Sequence, residues 1–306
     1  MQLKGLYTAV VTPFNSAGKL DKEGLRQNLR YQLFHKVEGV VLLGTTGEDP
    51  TLNPQEKQTV IEIALDELKG KMTLIVRTGS YSTETTIATT KKAKEMGADG
   101  ALIVTPYYNR PTQEGLFRHF AAICEAVSFP ICIYNIQGRT AQNLHTETLK
   151  RLMQFPSIIG VKEASGNIMQ MGDVMEIARM RESGFSVVSG DDALTLPLMA
   201  LGGSGIISVA SNLVPGPMRS LVQAALTGDF ETAREWHFQL LPFLKSNFIE
   251  TNPIPIKAAM QLCGMAAGPC RLPLCDLAPA NLAFIKQIVN SLPPSWLYGQ
   301  TKSPCC

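Results

Sequence analysis

Lys162 is the residue of this chain whose type and position most directly indicate chemistry. It lies in residues 158–165 (IIGVKEAS), an apolar run that predicts a buried strand. Burial disfavours the charged form of an amine and lowers its pKa, and a neutral lysine is the nucleophile that forms a Schiff base with a carbonyl substrate. The alternative is that the amine reaches the rim of the fold or pairs with Glu163 or Asp191, which is commoner for a single lysine.

The elements that must position Lys162 form a regular series. Eight short apolar, β-branched runs bounded by turn residues predict strands at residues 7–11, 39–44, 73–77, 100–105, 130–135, 158–163, 185–190 and 204–209. Amphipathic segments of helical length separate them, as at residues 21–36, 54–69 and 83–96. This alternation predicts an α/β chain folded as a (β/α)8 TIM barrel. A doubly wound open sheet is the competitor, but it rarely holds eight evenly spaced units.

Capping signals support the starts of three predicted helices. Asp21 precedes the first, Asn53 precedes Pro54 at the start of the second, and Thr83 with Thr86 marks the third.

The pattern changes after the eighth unit. From residue 229 onward only helical periodicity remains, as in residues 230–245, 255–262 and 277–289. We therefore predict a barrel over residues 1–228 that carries the active site, followed by a C-terminal helical segment over residues 229–306.

Composition narrows the class of partner and the compartment. The 306 residues are 45% hydrophobic and 18% charged, with a net charge of +2, so nucleic acid and membrane are not expected as partners. The first residues lack an apolar signal core, and the seven cysteines offer neither a disulfide framework nor a zinc ligand set, so we expect a cytoplasmic protein without a metal site. Cys305 and Cys306 are expected to end a frayed tail.

Polar residues lie at or just after the C-terminal ends of all eight predicted strands, the end of a barrel where active sites form. They are Thr12, residues 44–48 (GTTGE), Thr78, residues 105–110 (TPYYNR), Tyr134, Asn135, Lys162, Glu163, residues 189–192 (SGDD) and Ser208.

Tyr134 is the candidate proton shuttle. Alternation along a strand places Tyr134 and Cys132 on one face of the fifth strand, and Lys162 and Gly160 on one face of the sixth. A phenol and an amine can then converge on one substrate atom, where the phenol serves imine and enamine chemistry. A strand tyrosine that only bonds a neighbour is the alternative.

The turn at residues 44–47 (GTTG) is a candidate carboxylate site. Its hydroxyls and backbone N–H groups suit a carboxylate, although a βα turn with capping threonines explains the same residues.

These motifs together resemble the dihydrodipicolinate synthase and N-acetylneuraminate lyase family of pyruvate-dependent class I aldolases. The resemblance extends from residues 9–14 (AVVTPF) to residues 271–273 (RLP). Its most specific parts are residues 44–48, 105–111 (TPYYNRP), 134–135 (YN) and 160–165 (GVKEAS).

The resemblance implies roles for individual positions. Lys162 is similar to the pyruvate Schiff-base lysine and Tyr134 to the general acid/base, with no cofactor beyond the covalent lysine–pyruvate adduct. Thr45 and Tyr108 resemble the other members of a hydroxyl proton relay, and Tyr108 is expected to reach across a dimer interface. Thr46 and Ile207 resemble pyruvate-binding positions. The family usually forms a homotetramer from two tight dimers.

Arg139 favours one branch of the family. In the synthases an arginine soon after the Tyr-Asn pair binds the carboxylate of L-aspartate 4-semialdehyde, and a guanidinium fork suits both oxygens. The resemblance thus implies a lyase that condenses pyruvate with that semialdehyde in lysine and diaminopimelate biosynthesis. Gln137 and Gly138 depart from the Pro-Ser expected before the arginine, which puts substrate placement in doubt.

Feedback by lysine is expected to be weak or absent. Lysine-inhibited members carry Asn and Glu where this chain has Tyr81 and Thr85, and Asp49 and Pro50 are also unusual for that effector cleft.

Two other functions stay open at this point. One is a pyruvate-dependent lyase for a sugar-derived or hydroxy-oxo acid, in which a fixed cation at Arg139 would bring no advantage. The other is a non-catalytic pyruvate-binding regulator that kept the fold, against which the retained relay weighs.

Overall fold

Eight parallel strands pair in sequence order and close into a barrel in the computed structural model, which describes residues 1–181 and 184–299. The strands are β1 (Gly5–Ala9), β2 (Gly39–Leu42), β3 (Thr73–Arg77), β4 (Gly100–Val104), β5 (Ile131–Asn135), β6 (Ile158–Glu163), β7 (Ser186–Ser189) and β8 (Gly205–Ser208). The predicted (β/α)8 barrel is confirmed, and the largest change is at β1, which begins earlier than the sequence indicated.

Helices alternate with the strands and continue after them. They are α1 (Lys22–Phe34), α2 (Pro54–Leu68), α3 (Thr83–Met96), α4 (Gln113–Ala126), α5 (Gln137–Thr140), α6 (Thr146–Leu152), α7 (Ile168–Arg179), α8 (Thr195–Ala200), α9 (Pro215–Leu226), α10 (Phe230–Ser246), α11 (Ile254–Leu262) and α12 (Pro279–Ser291). The last three confirm the predicted C-terminal helical extension. Cys305 and Cys306 lie outside the described residues.

Local sequence explains where the first helices begin. Asp21 caps α1 by accepting from the Gly24 N–H, and Asn53 with Glu56 forms a reciprocal capping box at α2. At α3 the cap is Ser82, which accepts from the Thr85 N–H, so Thr83 is the first helical residue rather than the cap. The prediction named the wrong one of two adjacent hydroxyl residues because both types suit that position.

Packing divides the chain into two compact units, Met1–Gly5 with Ile75–Ile207, and Leu6–Leu74 with the chain from Ser208 onward. The division of the sequence at residue 228 stays a prediction.

In the first unit, β5 and β6 pair with Ile133 opposite Val161 and Tyr134 opposite Lys162. Ile133 and Val161 are fully buried, as parallel strands covered on both faces require. Alternation turns the phenol and the amine to the other face of the same two strands.

In the second unit, the chain after α11 packs on the segment after β1. The Phe14 N–H donates to the Ala267 carbonyl at 3.0 Å. Gly268 has a φ of +68°, and a side chain there would collide with the Phe14 carbonyl. Only glycine permits this close approach.

None of the helices in the described ranges is long and apolar enough to cross a membrane.

Candidate active site

Lys162 is 5% exposed near the end of β6. Burial lowers the pKa of its amine from 10.5 to about 8, and the Asp192 carboxylate, which acts in the opposite direction, only partly offsets this. The free-energy cost of removing an ammonium group from water exceeds the stabilisation that one nearby negative charge provides. The amine is therefore partly neutral near pH 7 to 8, which is the form that attacks a carbonyl.

Both acids considered as partners for Lys162 are held elsewhere. The Glu163 carboxylate accepts from the Ser165 N–H at 2.7 Å and the Asn135 amide at 3.1 Å. Asp191 accepts from the Ala193 N–H at 2.9 Å and caps a short turn. Alternation along β6 explains the first case, since consecutive side chains point to opposite faces.

Gly190 makes room for the lysine side chain. A Cβ at this position would lie 2.9 Å from Lys162 Cε and 2.7 Å from the Ala164 Cβ. The glycine after β7 is thus required by a close approach.

Tyr134 lies directly opposite Lys162, with the lysine Nζ 4.3 Å from the centre of the phenol ring. Burial raises the pKa of the Tyr134 hydroxyl to about 12, while the positive charge of Arg139 lowers it. The phenol therefore keeps its proton at neutral pH and can donate it to an oxygen that leaves the substrate.

Behind this pair, a network of amides joins the ends of β5 and β6. The Asn135 amide donates to Glu163 Oε2 and to Asn143 Oδ1, and its own oxygen accepts from the Leu144 N–H. The Asn143 amide in turn donates to the Gln170 oxygen of α7 at 2.6 Å. The network links the ends of β5 and β6 to residues 143–144, which follow the loop that carries Arg139.

Arg139 is exposed on the single turn α5, next to the exposed Gln137 and Gly138. Its charge lowers the pKa of both Lys162 and Tyr134, so the guanidinium acts on the same space as the amine and the phenol. The Thr140 hydroxyl donates to the Ile136 carbonyl at 3.0 Å and closes the turn.

The two remaining candidate residues of the first unit, Tyr108 and Ile207, differ in their exposure. Tyr108 is 91% exposed, with a φ of +70°. Ile207 is buried in β8. Neighbouring Tyr107 instead packs edge-on against Tyr81, with ring centres 5.4 Å apart.

Thr45 and Thr46 lie in the second unit, in the turn after β2. The Gly47 N–H donates to the Gly44 carbonyl at 3.1 Å, and the Glu48 N–H donates to the Thr45 carbonyl at 3.1 Å. Thr46 is 2% exposed, and its hydroxyl accepts from the Asn252 amide at 3.0 Å.

A buried ion pair follows this turn. The Lys257 amine of α11 donates to Glu48 Oε1 at 2.6 Å, with the two side chains 2% and 0% exposed. The amine also donates to the Thr12 and Pro269 carbonyls, and the other Glu48 oxygen accepts from the Arg271 N–H.

The sequence indicated Glu48 as part of a motif but missed Asn252 and Lys257. A lysine within the apolar run of α11 was the available signal, and it is the same kind of signal as Lys162.

A closed (β/α)8 barrel, with a buried amine of lowered pKa beside a protonated phenol at neighbouring strand ends, defines a class. It is the class of barrel enzymes that form imines with carbonyl substrates.

Comparison with known proteins defines the family. The family model of the Dihydrodipicolinate synthetase family matches residues 2–292. The 4-hydroxy-tetrahydrodipicolinate synthase of Protochlamydia amoebophila is 61% identical over 297 residues, 97% of this chain and 99% of that protein. Its namesake from Methanospirillum hungatei is 43% identical over 94% of this chain and 98% of that one. The chain belongs to the dihydrodipicolinate synthetase family, as its motifs predicted.

A solved structure supports the same family assignment. The crystal structure of dihydrodipicolinate synthase from Thermotoga maritima is 40% identical and superposes with a TM-score of 0.92, covering 95% of this chain and 98% of that one.

Proposed function

We propose that this chain is a lyase that condenses pyruvate with L-aspartate 4-semialdehyde, the activity of a 4-hydroxy-tetrahydrodipicolinate synthase in lysine and diaminopimelate biosynthesis. One observation carries the proposal: the Lys162 amine, with a pKa of about 8, lies 4.3 Å from the centre of the Tyr134 ring. The 61% identity to a protein of that name supports the choice of reaction.

The first half of the reaction is imine formation. The neutral Lys162 amine attacks the ketone carbon of pyruvate, and the resulting hydroxyl leaves as water after Tyr134 supplies a proton. Loss of a proton from the methyl carbon then gives an enamine, because the iminium nitrogen accepts the electron pair. Thr45 and Tyr108 are proposed to pass protons to and from Tyr134.

The second half joins the two substrates. The enamine carbon attacks the aldehyde carbon of the semialdehyde, and the aldehyde oxygen takes up the proton that left the methyl carbon and becomes a hydroxyl. The Arg139 fork would hold the carboxylate of the semialdehyde. The amine of the semialdehyde then attacks the imine carbon and displaces Lys162, which closes the ring and frees the enzyme. One water is released overall, and no metal or added cofactor takes part.

Pyruvate itself needs a carboxylate site. Thr46, through its hydroxyl and its backbone N–H, and the backbone at Ile207 are the proposed partners. The hydroxyl and N–H donors of a tight turn match a carboxylate.

The assembly proposed for the enzyme is a homotetramer made of two tight dimers. Tyr108 is 91% exposed on a left-handed residue, which is compatible with the partner contact that the family resemblance implies for it. Sedimentation velocity on wild type and Tyr108→Ala would test the contact, and a monomeric wild type would refute it.

The proposed compartment is the cytoplasm. Five thiols are free in the described part of the chain, which suits a reducing compartment. Fractionation of cells that express the tagged protein would test this.

Feedback inhibition by lysine is proposed to be weak or absent. Tyr81 is engaged with Tyr107, and Asp49 pairs with Lys57 at 2.8 Å. Inhibition of turnover at micromolar lysine would refute this.

The test of the function is turnover of pyruvate plus L-aspartate 4-semialdehyde, coupled to a reductase that consumes the product with NADPH. Rapid turnover that vanishes in Lys162→Ala is expected. Absence of turnover in protein that borohydride still traps with pyruvate would keep the aldolase chemistry but exclude this aldehyde. Absence of both would leave a pyruvate-binding regulator.

A further inference from the structure

Asn252 has no assigned role in the proposed reaction, yet its side chain contacts Thr46, which is proposed to bind pyruvate. It is 5% exposed in the turn just before α11. Its Nδ2 donates to Thr46 Oγ1 at 3.0 Å, and both residues are buried. The C-terminal segment therefore reaches the turn proposed to bind the carboxylate of pyruvate.

The direction of this hydrogen bond matters. A threonine hydroxyl has one proton to give and can accept through its lone pairs. Because Asn252 donates to it, the Thr46 oxygen is used as an acceptor and its proton remains available. A hydroxyl held in this way is oriented to donate to an anion.

The surroundings of Thr46 fix the rest of the turn. The Thr12 hydroxyl donates to the Gly47 carbonyl at 2.7 Å, and Lys257 holds Glu48 at 2.6 Å. The backbone of the turn is thus set without Asn252. What Asn252 adds is the orientation of one hydroxyl.

We propose that Asn252 is a positioning residue for pyruvate, which holds the Thr46 hydroxyl as a donor to the substrate carboxylate. The inference rests on the proposed function, because it needs pyruvate to bind at Thr46. It extends the site to the segment between α10 and α11.

The experiment measures how much pyruvate is needed for half-maximal borohydride trapping on the full chain, together with KM and kcat for each substrate. Asn252→Ala is expected to raise the pyruvate requirement about tenfold, because the Thr46 hydroxyl is no longer oriented to donate to the carboxylate, with kcat and the KM for semialdehyde nearly unchanged. A general loss of structure would instead lower kcat and affect both substrates.

Asn252→Asp keeps the shape of the side chain and reverses the hydrogen bond. Its carboxylate would accept the Thr46 proton and repel the substrate anion, so the pyruvate requirement should rise further than in Asn252→Ala. This variant decides the question if Asn252→Ala does not fold. The matched control is Asn247→Ala, since buried Asn247 donates to the Phe243 carbonyl and has no role in the proposed site.

A double-mutant cycle isolates the mechanism. Thr46→Val should raise the pyruvate requirement by itself, and Asn252→Ala should then add little, because the hydroxyl it orients is gone. Independent effects of the two changes, or an Asn252→Asp variant that traps pyruvate like wild type, would overturn the proposal. If wild type is not trapped at all, the proposed function fails first, and the two failures are distinguishable.

Discussion

Tyr134 and Lys162 are direct partners in the register of β5 and β6, and the lysine Nζ lies 4.3 Å from the centre of the tyrosine ring. Burial acts on the two groups in opposite directions, lowering the pKa of the amine to about 8 and raising that of the phenol to about 12. Burial thus shifts both groups toward their neutral forms, so that near neutral pH a partly neutral nucleophile lies beside a protonated acid.

The rate of pyruvate trapping should follow the protonation of Lys162. With a pKa of about 8, roughly a tenth of the amine is neutral at pH 7, about 300-fold more than for an ordinary lysine. We expect the second-order rate constant of trapping to rise with pH and level off above about 8, without a fall from Tyr134 below pH 10. Single-turnover trapping from pH 6 to 10 checks this, and a rise that continues towards 10.5 would contradict it.

Lys162→Met should abolish activity and stabilise the fold. The folded-state pKa lies below the unfolded value, so burying the charged lysine costs up to about 3 kcal/mol at pH 7. That cost is present below pH 8 and disappears as pH rises from 8 through 10.5. Urea denaturation of both proteins at pH 7 and pH 10 would reveal a difference that shrinks with pH. Equal midpoints at pH 7 would argue against a buried charged amine.

Gly190→Ala should displace the lysine side chain and also Ala164, whose Cβ would lie 2.7 Å from the new one. The new Cβ would lie 2.9 Å from Lys162 Cε, and a misplaced nucleophile costs on the order of a hundredfold in rate. Trapping kinetics measure this. The matched control is Gly172→Ala in α7, where a new Cβ meets nothing within 4 Å, and wild-type rates are expected. A wild-type rate of trapping by Gly190→Ala would show that the space around Lys162 accommodates the added methyl group.

Lys257→Met should destabilise the protein by about 3–5 kcal/mol, because it leaves the Glu48 carboxylate buried without its partner. Adding Glu48→Gln should recover much of the loss, since an uncharged pair needs no counter-ion. Denaturant titration gives both values. Arg118→Ala, which breaks the exposed Arg118–Glu114 pair, serves as the control and should scarcely move the midpoint. If Lys257→Met alone were as stable as wild type, the proposed stabilising role of the Lys257–Glu48 pair would be refuted.

Arg139→Ala should affect the second substrate selectively. Loss of the fork is expected to lower kcat/KM for the semialdehyde about a hundredfold, with pyruvate trapping changed far less. Since Arg139 lowers the pKa of Lys162, the pH at which trapping levels off should also move upward. Arg139→Lys keeps the charge and should leave that pH unchanged while losing the paired geometry. Equal loss with both substrates would argue against the assignment.

The sequence by itself determined the barrel and the chemical character of the site. Short β-branched runs alternate with amphipathic helices because each strand of a parallel barrel is buried on both faces, and that pattern is local. The period of two along a strand predicted that Tyr134 and Lys162, at the ends of neighbouring strands, can converge, and the register of β5 and β6 makes them direct partners. Helix starts were readable too, and at α3 only the capping residue was wrong, since Ser82 rather than Thr83 is the cap.

Only the tertiary structure decided which polar groups meet. Glu163 is the neighbour of Lys162 in the chain, yet it bonds Asn135 on the opposite face. Glu48 and Lys257 are 209 residues apart in the sequence and form a buried pair. No local pattern encodes such contacts, because they depend on how β–α units and the C-terminal helices pack rather than on propensity or period. The pKa of Lys162 likewise arises from burial, which the folded chain creates.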